Sequence, residues 1–343
     1  MDMAIEASAV QTPRPGIPNP RLWASSKRRP PLSAHTPTCT ALSDTRCAPS
    51  GRVYRAAVPG RVMGSLRLAG TTAPNALGID LGTARTRLLI PGVGLILDEP
   101  SGVAYSPSGE AIAAGYDAWS AVGEGKGRLQ SPVRGGVVRV PVACVHMLRL
   151  LLRKAGLNIA ATRDVTLSLP ATAHRQDALV AAAVVASATD RRVIPVESGL
   201  AACVGAGLDI TLNAPRVVCD LGAGVTEMAA VADGRVVTSV AARVELGAYD
   251  RHPARALRRV AQMLRRTLEA LPDRSVGEVA TAPLLLVGGG ALRLDLVTRL
   301  GDSCRMQVQV PVNPRDVVGH GLANCVIGFG RRAKLVSRRD NPI

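Results

Sequence analysis

Residues 217–227 read Val-Val-Cys-Asp-Leu-Gly-Ala-Gly-Val-Thr-Glu: an apolar run ends on a carboxylate and turns back through closely spaced glycines. Residues 76–84, Ala-Leu-Gly-Ile-Asp-Leu-Gly-Thr-Ala, are built the same way. Taken singly, either stretch is also an ordinary hairpin with Asp-x-Gly turn chemistry. Occurring twice at distant positions, the device predicts two similar lobes facing a shared cleft. In the first turn Gly82 lets the backbone approach a polyanion, successive N–H groups make a concave anion site, and the Thr83 hydroxyl adds a donor beside Ala84 and Arg85. In the second, Asp220, Gly222, Ala223, Gly224 and Thr226 repeat the logic with tighter glycine spacing. The pair forms a pincer that clamps adjacent phosphates from opposite lobes, while Asp80 and Asp220 share one magnesium ion through water.

A third element follows the apolar run at 283–287, where Gly288, Gly289 and Gly290 lead into a helix. Three glycines leave room for a flat ring or a sugar at a helix N-terminus, although a plain strand-to-helix turn has the same pattern. Between these motifs, short β-rich runs from Asn75 predict three antiparallel strands. A Leu-rich helix over 144–155, a strand at 164–170, an Ala-rich helix over 173–188, a strand at 191–197 and a helix over 198–206 come next. Two or three strands then follow the second motif, with a basic helix over 253–270 and a closing helix over 314–328.

The net charge of +16 is not spread evenly. Residues 1–70 carry ten Lys/Arg against three acids, residues 251–270 six Arg against Glu269, and the tail from Arg331 five basic residues against Asp340. Those segments hold the whole excess, and the body between them is neutral. Basic segments on a neutral body predict docking to an acidic surface, such as an anionic membrane leaflet or a polyanionic partner; solubilising charge is the plainer reading. A single Phe, two Trp and four Tyr argue against a base-stacking platform, so no nucleic acid partner is expected. The seven Cys show no CxxC pair or His spacing for a metal, and read as small buried residues. With no signal-peptide pattern and no apolar run of membrane-spanning length, the expected location is cytoplasmic, peripheral at the inner face of the cell membrane at the most.

The three motifs, in this order, resemble the two phosphate motifs and the adenosine motif of the actin-like ATPase superfamily. The finer similarity, over about residues 75–330, is to MreB-type bacterial actins: GIDLGTARTRLLI, SPVRGGVV, PVESGLAACVGAGLDI, LLLVGGGALR and PVNPRDVVGHGLA match that family's stretches in sequence order. The resemblance implies an α/β, two-lobed actin-like ATPase fold, with duplicated mixed-sheet domains around a nucleotide cleft. It also implies ATP with Mg2+ as cofactors, GTP not being excluded. The expected division is a disordered basic arm at 1–72, a first lobe from 73–212 plus 314–330, a truncated second lobe at 213–313 and a basic tail at 331–343.

Three departures from the family bear on function. A whole small subdomain follows the stretch matching Gly247 to Asp250 in MreB proteins, where it helps enclose the base and make longitudinal filament contacts; here almost nothing intervenes before the 253–270 helix. The family's Glu-Glu-Pro, whose second Glu polarises the attacking water, is replaced by Glu197-Ser198-Gly199. Ser198 thus holds the catalytic place with Glu197 one residue early, and a hydroxyl orients water less well than a carboxylate. Arg85 stands where the family has Asn, which adds a cation beside the phosphates, and Val225 replaces a Thr. The resulting expectation is an MreB-like cytoskeletal protein in cell-shape or cell-wall organisation, at most a weak ATPase. It would assemble with itself or with a complete homologue, and contact cell-wall synthesis or membrane-associated proteins. A pseudo-ATPase adaptor is the alternative, and an active sugar-kinase- or chaperone-type ATPase a third.

Overall fold

A computed structural model describes residues 53–55 and 76–325, apart from 172, 273–278 and 280–281. The tail at 331–343 and the arm, except for 53–55, lie outside these residues, as does the end of the closing helix. The elements in chain order begin with β1 (Val53–Arg55), β2 (Ala76–Leu81), β3 (Arg85–Ile90) and β4 (Gly94–Pro100). Next come β5 (Val103–Tyr105), β6 (Ala111–Ala114), α1 (Tyr116–Gly123) and β7 (Arg128–Gln130). The short hairpin β8 (Val133–Arg134) and β9 (Val137–Val138) leads into α2 (Pro141–Lys154), β10 (Asp164–Leu169), α3 (Arg175–Thr189) and β11 (Arg192–Glu197). Helix α4 (Ser198–Gly205) is followed by β12 (Arg216–Leu221), β13 (Thr226–Ala232), β14 (Arg235–Ala242), α5 (Ala248–Arg251) and α6 (Pro253–Glu269). The last of the described elements are β15 (Leu284–Val287), α7 (Leu294–Cys304), β16 (Val308–Val310) and a closing helix at 317–325.

The two main sheets repeat one topology. The first runs β11-β10-β2-β3-β4 and the second β1-β16-β15-β12-β13-β14. In each, an antiparallel three-strand meander opens the lobe and later strands add in parallel to its first strand. The predicted β2-β3-β4 and β12-β13-β14 meanders are as expected. Strand burial follows position: β13, covered on both faces, is buried throughout, whereas edge strand β14 alternates exposed and half-buried residues. Pro195 sits in edge strand β11, the kind of strand in which proline is tolerated. Residues 53–55, assigned to the arm by composition, instead pair in parallel with β16 at the edge of the second sheet. A small sheet β6-β5-β7 beside α1 was not foreseen.

Helices fill three layers. α2 buries Cys144, Met147, Leu148 and Leu151 against the first sheet, one stripe at helical spacing. α6 buries Leu257, Val260, Met263 and Leu264 on the second sheet in the same way, together with Leu296 and Leu300 of α7. Between the sheets lie α4 and the closing helix, where Ala201, Ala202, Val317 and Leu322 meet Val218, Ala229 and Val287 of the second sheet. Facing the first sheet, the Thr166 hydroxyl donates to the Leu322 carbonyl at 3.0 Å, and a Cβ on Gly78 would lie 3.1 Å from the Ala323 nitrogen. Gly321 passes so close to the Ala201 carbonyl that any Cβ there would overlap it. Only His252 separates α5 from α6, so the family's additional subdomain has no room here. Among the described residues no helix is long and apolar enough to cross a membrane.

Candidate functional site

Both Asp-Gly turns close at the same end of their lobes. The Gly82 N–H donates to the Arg85 carbonyl at 3.0 Å, and a Cβ on Gly82 would sit 2.8 Å from that oxygen. In the second lobe a Cβ on Gly222 would sit 2.7 Å from the Val225 carbonyl, so the two turns share a form that excludes side chains. The loops also meet each other. A Cβ on Gly224 would lie 2.9 Å from the Thr83 hydroxyl oxygen, which itself accepts the Gly136 N–H at 2.8 Å. Glycine at 224 is what lets one loop touch the other across the cleft. A cavity of about 660 Å³ opens at this junction, lined by Thr83, Ala223, Gly224, Arg134, Arg139, Arg243 and Glu245, within the size range of small-molecule sites.

The carboxylates at the ends of β2 and β12 occupy equivalent positions but different electrostatic surroundings. Asp80 faces Arg87 across its antiparallel pair, and the two form an ion pair at 3.1 Å. Arg87 is also close to Asp98 and Asp316, each at 3.3 Å, and Asp80 accepts the Ser168 hydroxyl at 3.1 Å. In the second lobe the residue opposite Asp220 is Glu227, a like charge where the first lobe has a cation. Neither Asp220 nor Glu227 has an ion-pair partner among the described residues. Asp220 keeps some surface open to the cleft, but protein surrounds it closely. Desolvation, then the charge of Asp80, push its carboxyl up to about 7 against the pull of Arg87. Burial and the neighbouring Asp220 push Glu227 up to about 8, although the Ala171 backbone hydrogen bond opposes this. The second lobe therefore presents two carboxyls that share too little positive charge.

The triple glycine abuts this pair. Gly288 has a φ of 86°, and any Cβ there would strike the Asp220 carboxylate. Gly290 is packed on Leu221, Gly289 faces open space, and the Gly288 N–H is held by the Pro314 carbonyl at 2.8 Å. A second cavity of about 350 Å³ is lined by Glu197, Ser198, Gly199, Glu227, Pro170 and Ala171. Ser198 is buried at the start of α4, and Glu197 is exposed, with its carboxyl raised by partial desolvation.

Several sequence assignments meet in this cleft and two do not. Asp80, Gly82, Thr83, Asp220, Gly222, Ala223, Gly224 and Gly288 to Gly290 surround the loops, and Glu197 and Ser198 lie on the adjacent cavity. Ala84 contributes its carbonyl, which takes the Ser101 N–H at 3.0 Å. Arg85, expected beside the phosphates, instead gives its guanidinium to Asp98 at 2.5 Å, to the Asp98 carbonyl at 2.7 Å and to the Tyr116 hydroxyl at 2.9 Å. Thr226 is fully buried, donating to the Val244 carbonyl at 3.1 Å beside the Tyr249 hydroxyl at 3.2 Å. Strand alternation turns Thr226 and Glu227 to opposite faces, so the hydroxyl expected at the phosphates faces the core. Sequence reasoning passed over Glu227, the next residue of the same motif, as well as Arg87 and the arginines Arg134, Arg139 and Arg243. The Gly-Gly hairpin in SPVRGGVV was the available signal for Arg134.

Two duplicated sheets, a pair of interlobe helices and glycine turns meeting over a cleft define the actin-like fold. Solved structures agree at the level of fold. MreB5 of Spiroplasma citri bound to AMPPNP superposes with a TM-score of 0.69 at 19% identity, covering 77% of this chain and 99% of that one. The MamK double helical filament gives 0.58 at 15% identity, covering 74% and 98%. Residues 74–252, more than half of the chain, match the family described as MreB/Mbl protein, and the chain belongs to that family. The cell shape-determining protein MreB of Escherichia coli K12 is 30% identical over 185 residues, 51% of this chain and 53% of its own length. Mbl of Bacillus subtilis 168 is 29% identical over 180 residues, 51% and 54%. The chain thus spans about half the length of the curated relatives it matches. The family match ends at residue 252, the junction between α5 and α6.

Proposed function

We propose that the cleft binds ATP with Mg2+ and that the chain works as a cytoskeletal component in cell-shape or cell-wall organisation, assembling with itself or with a complete relative. One observation carries the reading: Asp220 and Glu227 stand opposite each other with no ion-pair partner among the described residues, beside two glycine loops in contact across the cleft. A buried carboxyl pair without positive charge is costly, and a divalent cation relieves that cost. No three His, Cys, Asp or Glu side chains converge closely enough to hold a metal by themselves among the described residues. Magnesium would therefore be held largely through water and the nucleotide's own phosphates, with Asp220 and Asp80 as its protein partners. When bound it supplies charge to the phosphates; the chain's residues do the rest. Backbone N–H groups of both loops and the arginines 134, 139 and 243 receive the remaining phosphate charge. Gly289 leaves space for the nucleoside.

Hydrolysis is expected to be weak or absent. Ser198 holds the place that takes a water-polarising carboxylate in the family, and a hydroxyl is a poor base. Glu227 reaches the same cavity, but burial and the neighbouring Asp220 push its carboxyl up and disfavour the charged form that a water-polarising base needs. The same observation supports the second reading, a pseudo-ATPase adaptor that binds nucleotide and partners without turnover. Sedimentation separates the two. Under MgATP, the full chain pellets alone or co-pellets with a complete MreB relative in the cytoskeletal reading. A chain that stays in the supernatant in every nucleotide state, alone and mixed, rules that reading out.

A further inference from the structure

The missing subdomain leaves a groove of about 710 Å³ between the end of β14 and α6, and its walls are basic. Arg243, Arg255, Arg258 and Arg259 line it with His252 and Gln262, and no carboxylate is among its lining residues. Glu245, which lines the cavity at the phosphate loops, is drawn to Arg251 at 3.9 Å. Arg255, Arg258 and Arg259 are exposed and form no ion pair or side-chain hydrogen bond among the described residues. At helical spacings of three and four, such like charges repel, and α6 carries that cost without a local counter-charge. Arg243 also lines the cleft at the phosphate loops, so one cationic surface continues from the cleft into the groove.

We infer that this groove is a docking site for an acidic polypeptide segment of another protein. Charge excludes the chain's own ends, since residues 1–70 and 331–343 are both strongly basic. A second copy is disfavoured as well, because 42 basic residues stand against 26 acids and the exposed acids are scattered. A membrane surface would need apolar side chains to insert, yet the apolar stripe of α6 is buried in the core and none of the exposed large hydrophobics lies on α6. Nucleic acid would gain from stacking, and no Phe, Tyr or Trp lines the groove. Glu and Asp side chains on an extended or helical segment match a row of guanidinium groups, with bidentate pairing available at each.

The test is fluorescence anisotropy of a labelled deca-glutamate peptide with the full chain, without nucleotide. The double variant R255Q/R259Q keeps helix propensity at exposed positions, and R175Q, on the exposed first turn of α3, removes charge elsewhere. Saturable binding is expected, weakened about tenfold or more by the double variant and by raised salt, unchanged by R175Q, retained in R255K/R259K and weakened by MgATP no further than the shared Arg243 accounts for, as R243Q measures. Binding that the double variant leaves unmoved would place the peptide on the basic arm or tail and overturn the inference. Complete displacement by MgATP that persists in R243Q would place it in the cleft, with the same consequence. Tighter binding of phosphatidylglycerol vesicles or of a ten-nucleotide oligo-dT through these arginines would assign the groove to another class of partner.

Discussion

Asp80 and Asp220 are the same residue in the same turn, yet Arg87 faces one and Glu227 the other. That single difference makes the first lobe's carboxylate an internal ion pair and the second lobe's carboxylate a site wanting a cation. It has a measurable sign. Asp220 and Glu227 are raised to about 7 and about 8 from ordinary values of 3.8 and 4.5. The folded chain thus keeps protons that the unfolded chain releases, so their contribution favours folding most below the ordinary values and is lost as pH rises through the folded ones. Without ligand, thermal stability should decline as pH rises from about 4, the ordinary values, to about 8, where the folded groups have also ionised. Asp220→Asn with Glu227→Gln should flatten the decline, as read by calorimetric melts. A slope that persists in the double variant would assign the effect to other groups. The two misplaced assignments belong to this scale too. Arg85 reads as a phosphate ligand by adjacency, but Asp98, thirteen residues on, pairs with it. Thr226 reads as a loop hydroxyl, but the strand already begins there and turns it inward.

At the scale of elements, what was legible in sequence had a local physical cause. The strands β2 and β12 end in turns that glycine and Asp chemistry specify, and α2 and α6 carry an apolar stripe that no strand would have. The elements missed include short strands, β1, β5, β7 and β16 at three residues each, and the eight-residue helix α1; of these, β1 is decided by a partner far along the chain, β16. Helix α4 shows where element and chemistry meet. It opens on Ser198 at the wall of the cavity that Glu227 enters, and its N-terminus favours negative charge. Ser198→Glu should therefore fit the cavity and raise phosphate release from MgATP by about tenfold or more, the low end of what a positioned base contributes. Release unchanged in that variant, with nucleotide still bound, would show that more than this carboxylate has been lost.

Over the whole molecule, the fold is retained while one of its parts is absent. The duplicated sheets and the helices between them were readable because the same motif occurs twice. The electrostatic contrast between the lobes was not, because it depends on cross-strand register. Losing the small subdomain shortens the chain between Asp250 and Pro253 and uncovers the arginine face of α6, without disturbing the turns that meet at Thr83 and Gly224. The central claim is that those turns still hold a magnesium nucleotide. Isothermal calorimetry of ATP into the full chain, with and without magnesium and beside Asp220→Ala, addresses it directly. The account predicts saturable one-to-one binding that needs magnesium and falls by about a hundredfold or more in the variant, roughly 2.7 kcal/mol. Absence of binding at millimolar ATP, or binding indifferent to both magnesium and Asp220, would contradict it.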